Sequence, residues 1–156
     1  MSSPRTRRLE ADHAGMTELA DRGVVVFQAE GAPPDRYRVT LDVRGLAPTP
    51  AGEPALRQIH SFEVYLHLDY PRQAPQVTWL TPIFHPNILP PNRHGGVCIG
   101  SWSPSENLAD LCERLRRMVG YESFNVEDVL DRSAAAWVRE HRLEQGTDLE
   151  RAVAGA

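Results

Sequence analysis

The chain has 156 residues, which is long enough for a single domain, residues 1–156, that folds without a disulfide or a metal ion. Its formal net charge of -4 provides no overall attraction to phosphate backbones, and its one basic cluster, Arg5 to Arg8, is short, so nucleic acid is excluded as the main partner. Only two cysteines occur, without a signal peptide or a long apolar span, which excludes a membrane protein and indicates the cytoplasm.

The first half of the chain predicts one helix followed by four strands. Arg5–Asp21 carries apolar residues at helical spacing, and Gly23 ends the pattern. Leu46–Gln58 is rich in Pro and Gly and lacks periodicity, so we predict a long loop there. Alternating residues and short connections predict an antiparallel meander of four strands, at Val24–Glu30, Arg36–Val43, His60–Leu68 and Gln76–Thr81.

The second half predicts an irregular run and then helices. Regular structure is expected to stop from Pro82 to Trp102, and an irregular run of this length in a compact domain is usually functional. Ser103 to Glu106 has the pattern of a capping box with Pro at the first helical position, and the apolar face that follows places Cys112 in the core. A last helical region is predicted from Glu127 to Glu144, with a short helix after Thr147.

Cys98 lies inside the irregular run, directly after two glycines and a valine. Core cysteines normally occur in periodic apolar segments, where they behave as small hydrophobic residues, so this position calls for a chemical role. A Cys–His hydrolase is one alternative. A zinc site is a weaker one, since zinc prefers paired ligands at short spacing; its candidate ligands are His85, His94, Cys98 and Cys112.

Four motifs occur in order between Tyr70 and Ala135. The segment "YPRQAPQVTWLTPIFHPNI" is similar to the stretch of the ubiquitin-conjugating enzyme family that runs from a Tyr-Pro turn through a strand to the His-Pro-Asn signature, here His85-Pro86-Asn87. Downstream, "GGVCIGSWSP" and "NVEDVLDRSAA" resemble its cysteine loop and the stretch before its next helix. The resemblance covers about Arg7 to Glu144. It implies an α+β, ubiquitin-conjugating-enzyme-like fold with an N-terminal helix, a four-stranded antiparallel meander, a catalytic Cys loop and C-terminal helices.

The resemblance also implies a reaction. Cys98 would accept a ubiquitin-like modifier from an activating enzyme as a thioester and pass it to an amine of a target protein. Asn87 would stabilise the tetrahedral oxyanion; the alternative is a purely structural role. His85 is expected to brace the loop through hydrogen bonds rather than act as an acid or base. Asp128 would orient or deprotonate the amine, or be an acid at a helix N-terminus. His94 is expected to be solvated.

The sequence departs from the family pattern in some places, and the resemblance leaves one alternative function open. The interval from Asn87 to Cys98 is longer than usual, with Pro90–Gly96 carrying the excess, and Arg72 stands where many members have the Phe that docks ligases. Arg5, Arg7 and Arg8 could contact the activating enzyme. The arginine bias and compactness suggest a bacterial relative. The alternative is an inactive variant of the fold that only binds ubiquitin-like proteins. The presence of both Asn87 and Cys98 argues against it.

All seventeen basic residues are arginine, and the sequence contains no lysine. Codon bias in a GC-rich genome would explain this by itself. The functional alternative is that a surface without lysine protects a thioester-forming enzyme from attack by its own amines, because guanidinium stays protonated at physiological pH.

Overall fold

The computed structural model describes residues 2–154, which form four helices on a four-stranded antiparallel sheet. The helices are α1 (Pro4–Asp21), α2 (Leu108–Val119), α3 (Arg132–Glu140) and α4 (Leu149–Ala154). The strands are β1 (Val26–Gly31), β2 (Pro34–Pro48), β3 (Pro54–Tyr65) and β4 (Gln76–Trp79), paired in the order β1-β2-β3-β4. The predicted α+β class and the meander of strands are confirmed.

One face of the sheet packs on α1 and α2 and forms the main core. Cys112 belongs to this core, as predicted: it is fully buried, and burial raises the pKa of its thiol. A second buried cluster joins α3 and α4 to the end of β2 and to the irregular run. Its members include Leu46, Phe84, Tyr121, Trp137, Val138 and Leu149.

The predicted loop Leu46–Gln58 is wrong. β2 and β3 continue through it as a paired hairpin, in which Leu46 faces Leu56 and Pro48 faces Pro54. Only the tip turns, closed by a hydrogen bond from Thr49 N to Glu53 O at 2.9 Å. Leu46 is buried in the second cluster, and this packing stabilises the hairpin. Long-range contacts therefore outweigh the local preference of a Pro- and Gly-rich segment for turns.

The predicted start of α2 is also wrong. The helix begins at Leu108, and its capping box consists of Asn107 and Asp110 rather than Ser103 and Glu106. Ser103 to Glu106 forms a separate turn, in which Ser103 N donates to the Glu106 carboxylate at 2.7 Å. The sequence therefore holds two successive capping patterns, and the second one starts the helix.

Among the other boundaries, those of α3 and the end of β3 differ most clearly from the prediction. α3 is shorter than Glu127–Glu144, because residues 125–131 form an irregular segment bonded to the irregular run. β3 ends at Tyr65 rather than Leu68; Leu66 is buried, but Leu68 is 81% exposed. The alternating pattern thus runs past the strand into a connection that turns away from the core.

A buried carboxylate ties α1 to α2 and to the β3–β4 connection. Asp12, 2% exposed, accepts hydrogen bonds from Arg8 Nε at 3.0 Å and from the Tyr70 hydroxyl at 2.7 Å. Its other oxygen accepts from the backbone N–H of Leu108, the first residue of α2, at 3.1 Å. We call Arg8, Asp12 and Tyr70 the Asp12 network; it fixes where α2 begins relative to α1.

Candidate active site

Cys98 lies on a short two-stranded ribbon within the irregular run. Cys98 N donates to Asn87 O at 2.9 Å, and Leu89 N donates to Gly96 O at 2.8 Å. The excess residues of the long interval, Pro90–Gly96, form the turn at the other end of this ribbon. That turn is fixed to the sheet by a hydrogen bond from Trp79 N to Gly95 O at 2.8 Å. The insertion therefore lengthens the ribbon at the end opposite Cys98, whose side chain is partly exposed.

His85 is fully buried, and both of its ring nitrogens are used inside the protein. Nε2 donates to Met118 O at 2.7 Å, and Nδ1 accepts from Asn87 N at 3.0 Å. Burial lowers the pKa of the ring to about 4, so the imidazole is neutral near pH 7. A buried ring with two fixed hydrogen bonds suits the bracing role expected of it and leaves no nitrogen free for proton transfer.

The amide of Asn87 holds the segment that leads to α3. Asn87 is 1% exposed. Its Nδ2 donates to the carbonyl oxygens of Asn125 and Asp128, each at 3.1 Å, and its Oδ1 accepts from Asn125 N at 3.0 Å. Next to it, Pro86 O accepts from Leu130 N at 2.8 Å. The His-Pro-Asn signature thus binds the 125–131 segment beside the cysteine ribbon.

Asp128 is an exposed residue of that segment. Its backbone is fixed by the bond from Asp128 N to Asn125 Oδ1 at 2.8 Å, while its carboxylate makes no hydrogen bond or ion pair within residues 2–154. The alternative of a helix N-terminal acid is wrong, because α3 begins at Arg132 with Asp131 as its N-cap. A positioned carboxylate exposed at the site is what the amine-orienting role requires.

The structure does not bring the four candidate zinc ligands together. His94 is exposed, in a left-handed conformation at φ 62°. His85 and Cys112 are both buried but have different partners, Met118 O for His85 and Met16 Sδ for Cys112. Within the described part of the chain, no group of three or more His, Cys, Asp or Glu side chains is arranged to hold a metal ion.

Sequence reasoning missed two residues of the site. Asn125 is the partner of Asn87, and Arg114 of α2 donates to the carbonyls of Ile99 and Ser101, just after Cys98. Asn125 begins the "NVEDV" stretch, so its motif position was a usable signal. Nothing local distinguishes Arg114 from its neighbours Arg116 and Arg117.

The fold and the arrangement around Cys98 define a ubiquitin-conjugating-like domain. Two solved structures share this fold. The ubiquitin-conjugating E2 domain from Toxoplasma gondii has a TM-score of 0.59 at 23% identity over 92% of each chain. Ubc12 from S. cerevisiae has a TM-score of 0.68 at 24% identity, over 97% of this chain and 77% of the other.

The sequence comparison gives the family. The family model described as ubiquitin-conjugating enzyme matches residues 9–152, and the chain belongs to this family. Bovine ubiquitin-conjugating enzyme E2 T is 31% identical over 123 residues, 74% of this chain; the match spans 58% of the bovine protein. Ubiquitin-conjugating enzyme E2 2 of Candida glabrata is 26% identical over 147 residues, which is 91% of this chain and 80% of the relative.

None of the helices in residues 2–154 combines the length and the apolar character that crossing a membrane requires.

Proposed function

We propose that this protein is a ubiquitin-conjugating-type acyltransferase that carries a ubiquitin-like modifier as a thioester on Cys98. The observation that supports this most directly is the contrast between its two thiols. Cys98 is partly exposed and hydrogen-bonded through its backbone to Asn87, whereas Cys112 is sealed in the core. We place the reaction in the cytoplasm, where both thiols stay reduced.

The proposed reaction has two steps. The Cys98 thiolate attacks the thioester that joins the modifier to an activating enzyme; a new S–C bond forms, and the activating enzyme's thiolate leaves. A target amine then attacks the Cys98 thioester carbonyl, which becomes a tetrahedral oxyanion. Collapse forms the amide and expels the Cys98 thiolate. The exposed Asp128 carboxylate orients the amine and takes up the proton that it loses.

The partners of this reaction are the modifier, an activating-enzyme-like protein and target amines. Of the three arginines proposed to contact the activating enzyme, Arg5 and Arg8 are engaged within the protein. Arg5 donates to Leu66 O and His67 O, each at 2.7 Å, and Arg8 belongs to the Asp12 network. Arg7 is exposed, and within the described residues its side chain bonds only to Ser2 O, at 2.6 Å, so we assign the contact chiefly to it.

The test is a charging assay. The protein is incubated with a candidate modifier, its activating enzyme and ATP, and the product is resolved with and without thiol reductant. We expect a slower-migrating band that reductant removes. An inactive variant of the fold would bind the modifier and give no such band; a Cys–His hydrolase would instead cleave a modifier conjugate.

Asn87→Ala should slow discharge far more than charging. In the free protein both N–H groups of the Asn87 amide donate to Asn125 O and Asp128 O, so action on the oxyanion requires one of them to leave its carbonyl when the tetrahedral state forms. Transfer to free lysine should then fall on the order of a hundredfold, as for the loss of one oxyanion donor. Single-turnover discharge of preformed thioester measures this effect separately from charging.

Asn125→Ala is the matched control for Asn87. It keeps the Asn87 amide but removes the side chain that accepts from Glu127 N and Asp128 N. If Asn125→Ala slows discharge as much as Asn87→Ala, then Asn87 acts by holding the 125–128 segment, and its direct role on the oxyanion is ruled out.

The arginine positions differ in whether a lysine could make the same contacts as the guanidinium group. Arg8 donates through three nitrogens to several groups, a set of bonds that an ammonium cannot copy. Arg72 and Arg93 each make one ion pair, at 3.3 Å to Asp69 and 3.5 Å to Asp131, and are 82% and 52% exposed. Lysine would fit at these two positions, so the fold does not explain its absence there.

Arg72→Lys and Arg93→Lys should therefore modify themselves. A surface amine on the charged enzyme meets the thioester at an effective concentration on the order of millimolar, so we expect an adduct that resists reductant and forms without a target. Its rate should not change on dilution, since the reaction is intramolecular. If free lysine discharges both variants and neither gains an adduct, codon bias is the sufficient explanation.

A further inference from the structure

The segment that follows Cys98 packs Ile99 and Trp102 against the main core as it crosses to α2, but its backbone has few hydrogen-bond partners. It turns at Gly100, whose φ of 80° lies in the left-handed region that glycine adopts without steric cost. Within residues 2–154, the backbone of Ile99, Gly100 and Ser101 receives hydrogen bonds from one side chain only, that of Arg114. The side-chain hydrogen bonds to this backbone stretch therefore come from one guanidinium group.

Arg114 fastens the segment at two points and the following turn at a third. Its Nη1 donates to Ile99 O and to Ser101 O, both at 3.0 Å. Its Nη2 pairs with the Glu106 carboxylate, which in turn accepts from Ser103 N at 2.7 Å. The Arg114 side chain is 24% exposed, so these bonds are partly shielded from water.

The chemistry of this contact is specific to arginine. A guanidinium group presents five N–H donors in a fixed plane, so it can bind two carbonyls and a carboxylate at once. An ammonium group is a compact point charge on a flexible stem and does not hold three separate acceptors in one geometry. Arg114 in turn projects from a helix whose other face, including Leu111 and Leu115, is buried in the core.

We propose that Arg114 is a positioning residue for Cys98. On the N-terminal side the thiol-bearing residue is held by the ribbon, through the bond from Cys98 N to Asn87 O at 2.9 Å. On the C-terminal side Arg114 fixes the next three residues to α2. The effect on thioester chemistry rests on the proposed function; the positioning itself is a property of the free protein.

Hydrogen exchange at the Cys98 amide of the free protein, read by NMR, tests the positioning. In Arg114→Ala, exchange of the Cys98 N–H, which donates to Asn87 O in the ribbon, should become about tenfold faster, since the bonds that hold the next residues to α2 and oppose local opening are lost. Exchange in the strands should not change. Arg117→Ala is the control, because Arg117 is an exposed residue of the same helix whose side chain makes no bond within residues 2–154.

Two further measurements separate positioning from a general loss of stability. Guanidinium ion added to Arg114→Ala should restore slow exchange of the Cys98 amide, and Arg114→Lys should restore it only in part. The proposal is overturned if exchange there is unchanged in Arg114→Ala, or if it rises equally throughout the protein. If wild-type protein fails the charging assay, the proposed function fails, while the exchange result still decides the role of Arg114.

Discussion

Cys98→Ala should abolish charging, and Cys98→Ser should give a band that thiol reductant no longer removes. The serine hydroxyl forms an oxyester in place of the thioester, and an oxyester is stable to thiols and a poorer acyl donor to amines. Both variants should fold like the wild type, because the Cys98 side chain is partly exposed and none of the hydrogen bonds around it uses the sulfur. The charging assay with and without reductant measures both effects.

Cys112→Ala provides the control for this prediction. The Cys112 thiol is fully buried, and its high pKa keeps it protonated, so it cannot accept the modifier. The variant should charge normally and lose about 1 kcal/mol of stability from the small cavity. Charging that survives in Cys98→Ala and disappears in a folded Cys112→Ala would sink the assignment of the thiol.

Asp12→Ala should lower the free energy of unfolding by about 3 kcal/mol, the order expected when one partner of a buried ion pair is removed. Three donors lose their acceptor: Arg8 Nε, the Tyr70 hydroxyl and the first backbone N–H of α2. A loss of this size is a large part of the stability of a typical domain. Urea denaturation followed by circular dichroism measures it.

Asp69→Ala is the matched comparison for Asp12. Its pair with Arg72 at 3.3 Å is solvated, with the two side chains 58% and 82% exposed, so its removal should cost well under 1 kcal/mol. Equal losses in the two variants would show that the Asp12 network contributes no more than a surface pair.

The sequence predicts the irregular part of this fold better than some of its regular elements. The residues of the cysteine ribbon and of the His-Pro-Asn signature lie close together along the chain, so local motifs are enough to find them. The start of α2 depends on a distant residue. Two capping patterns follow each other, and Asp12, which binds Leu108 N, favours the second.

Long-range contacts also explain the other misses. The 46–58 hairpin is stabilised by pairing and by burial of Leu46 against α3 and α4, which composition does not reveal. The partners of Asn87 are 38 and 41 residues away, and those of Arg114 are backbone carbonyls 13 and 15 residues away. Backbone acceptors leave no sequence pattern, so the bonds of Arg114 needed the structure, while for Asn87 only the motif position of Asn125 was a signal.

The tip of the β2–β3 hairpin is a suitable site for inserting an affinity tag into this protein. Its tip lies between the facing residues Pro48 and Pro54, and a Cβ built on Gly52 would meet no atom within 4 Å. An affinity epitope inserted there would be carried by two paired strands, while Leu46, which packs in the second core cluster, stays in place. Such an internal tag leaves both chain ends unmodified, so partners that bind near α1 can be captured without a fusion beside their contact surface.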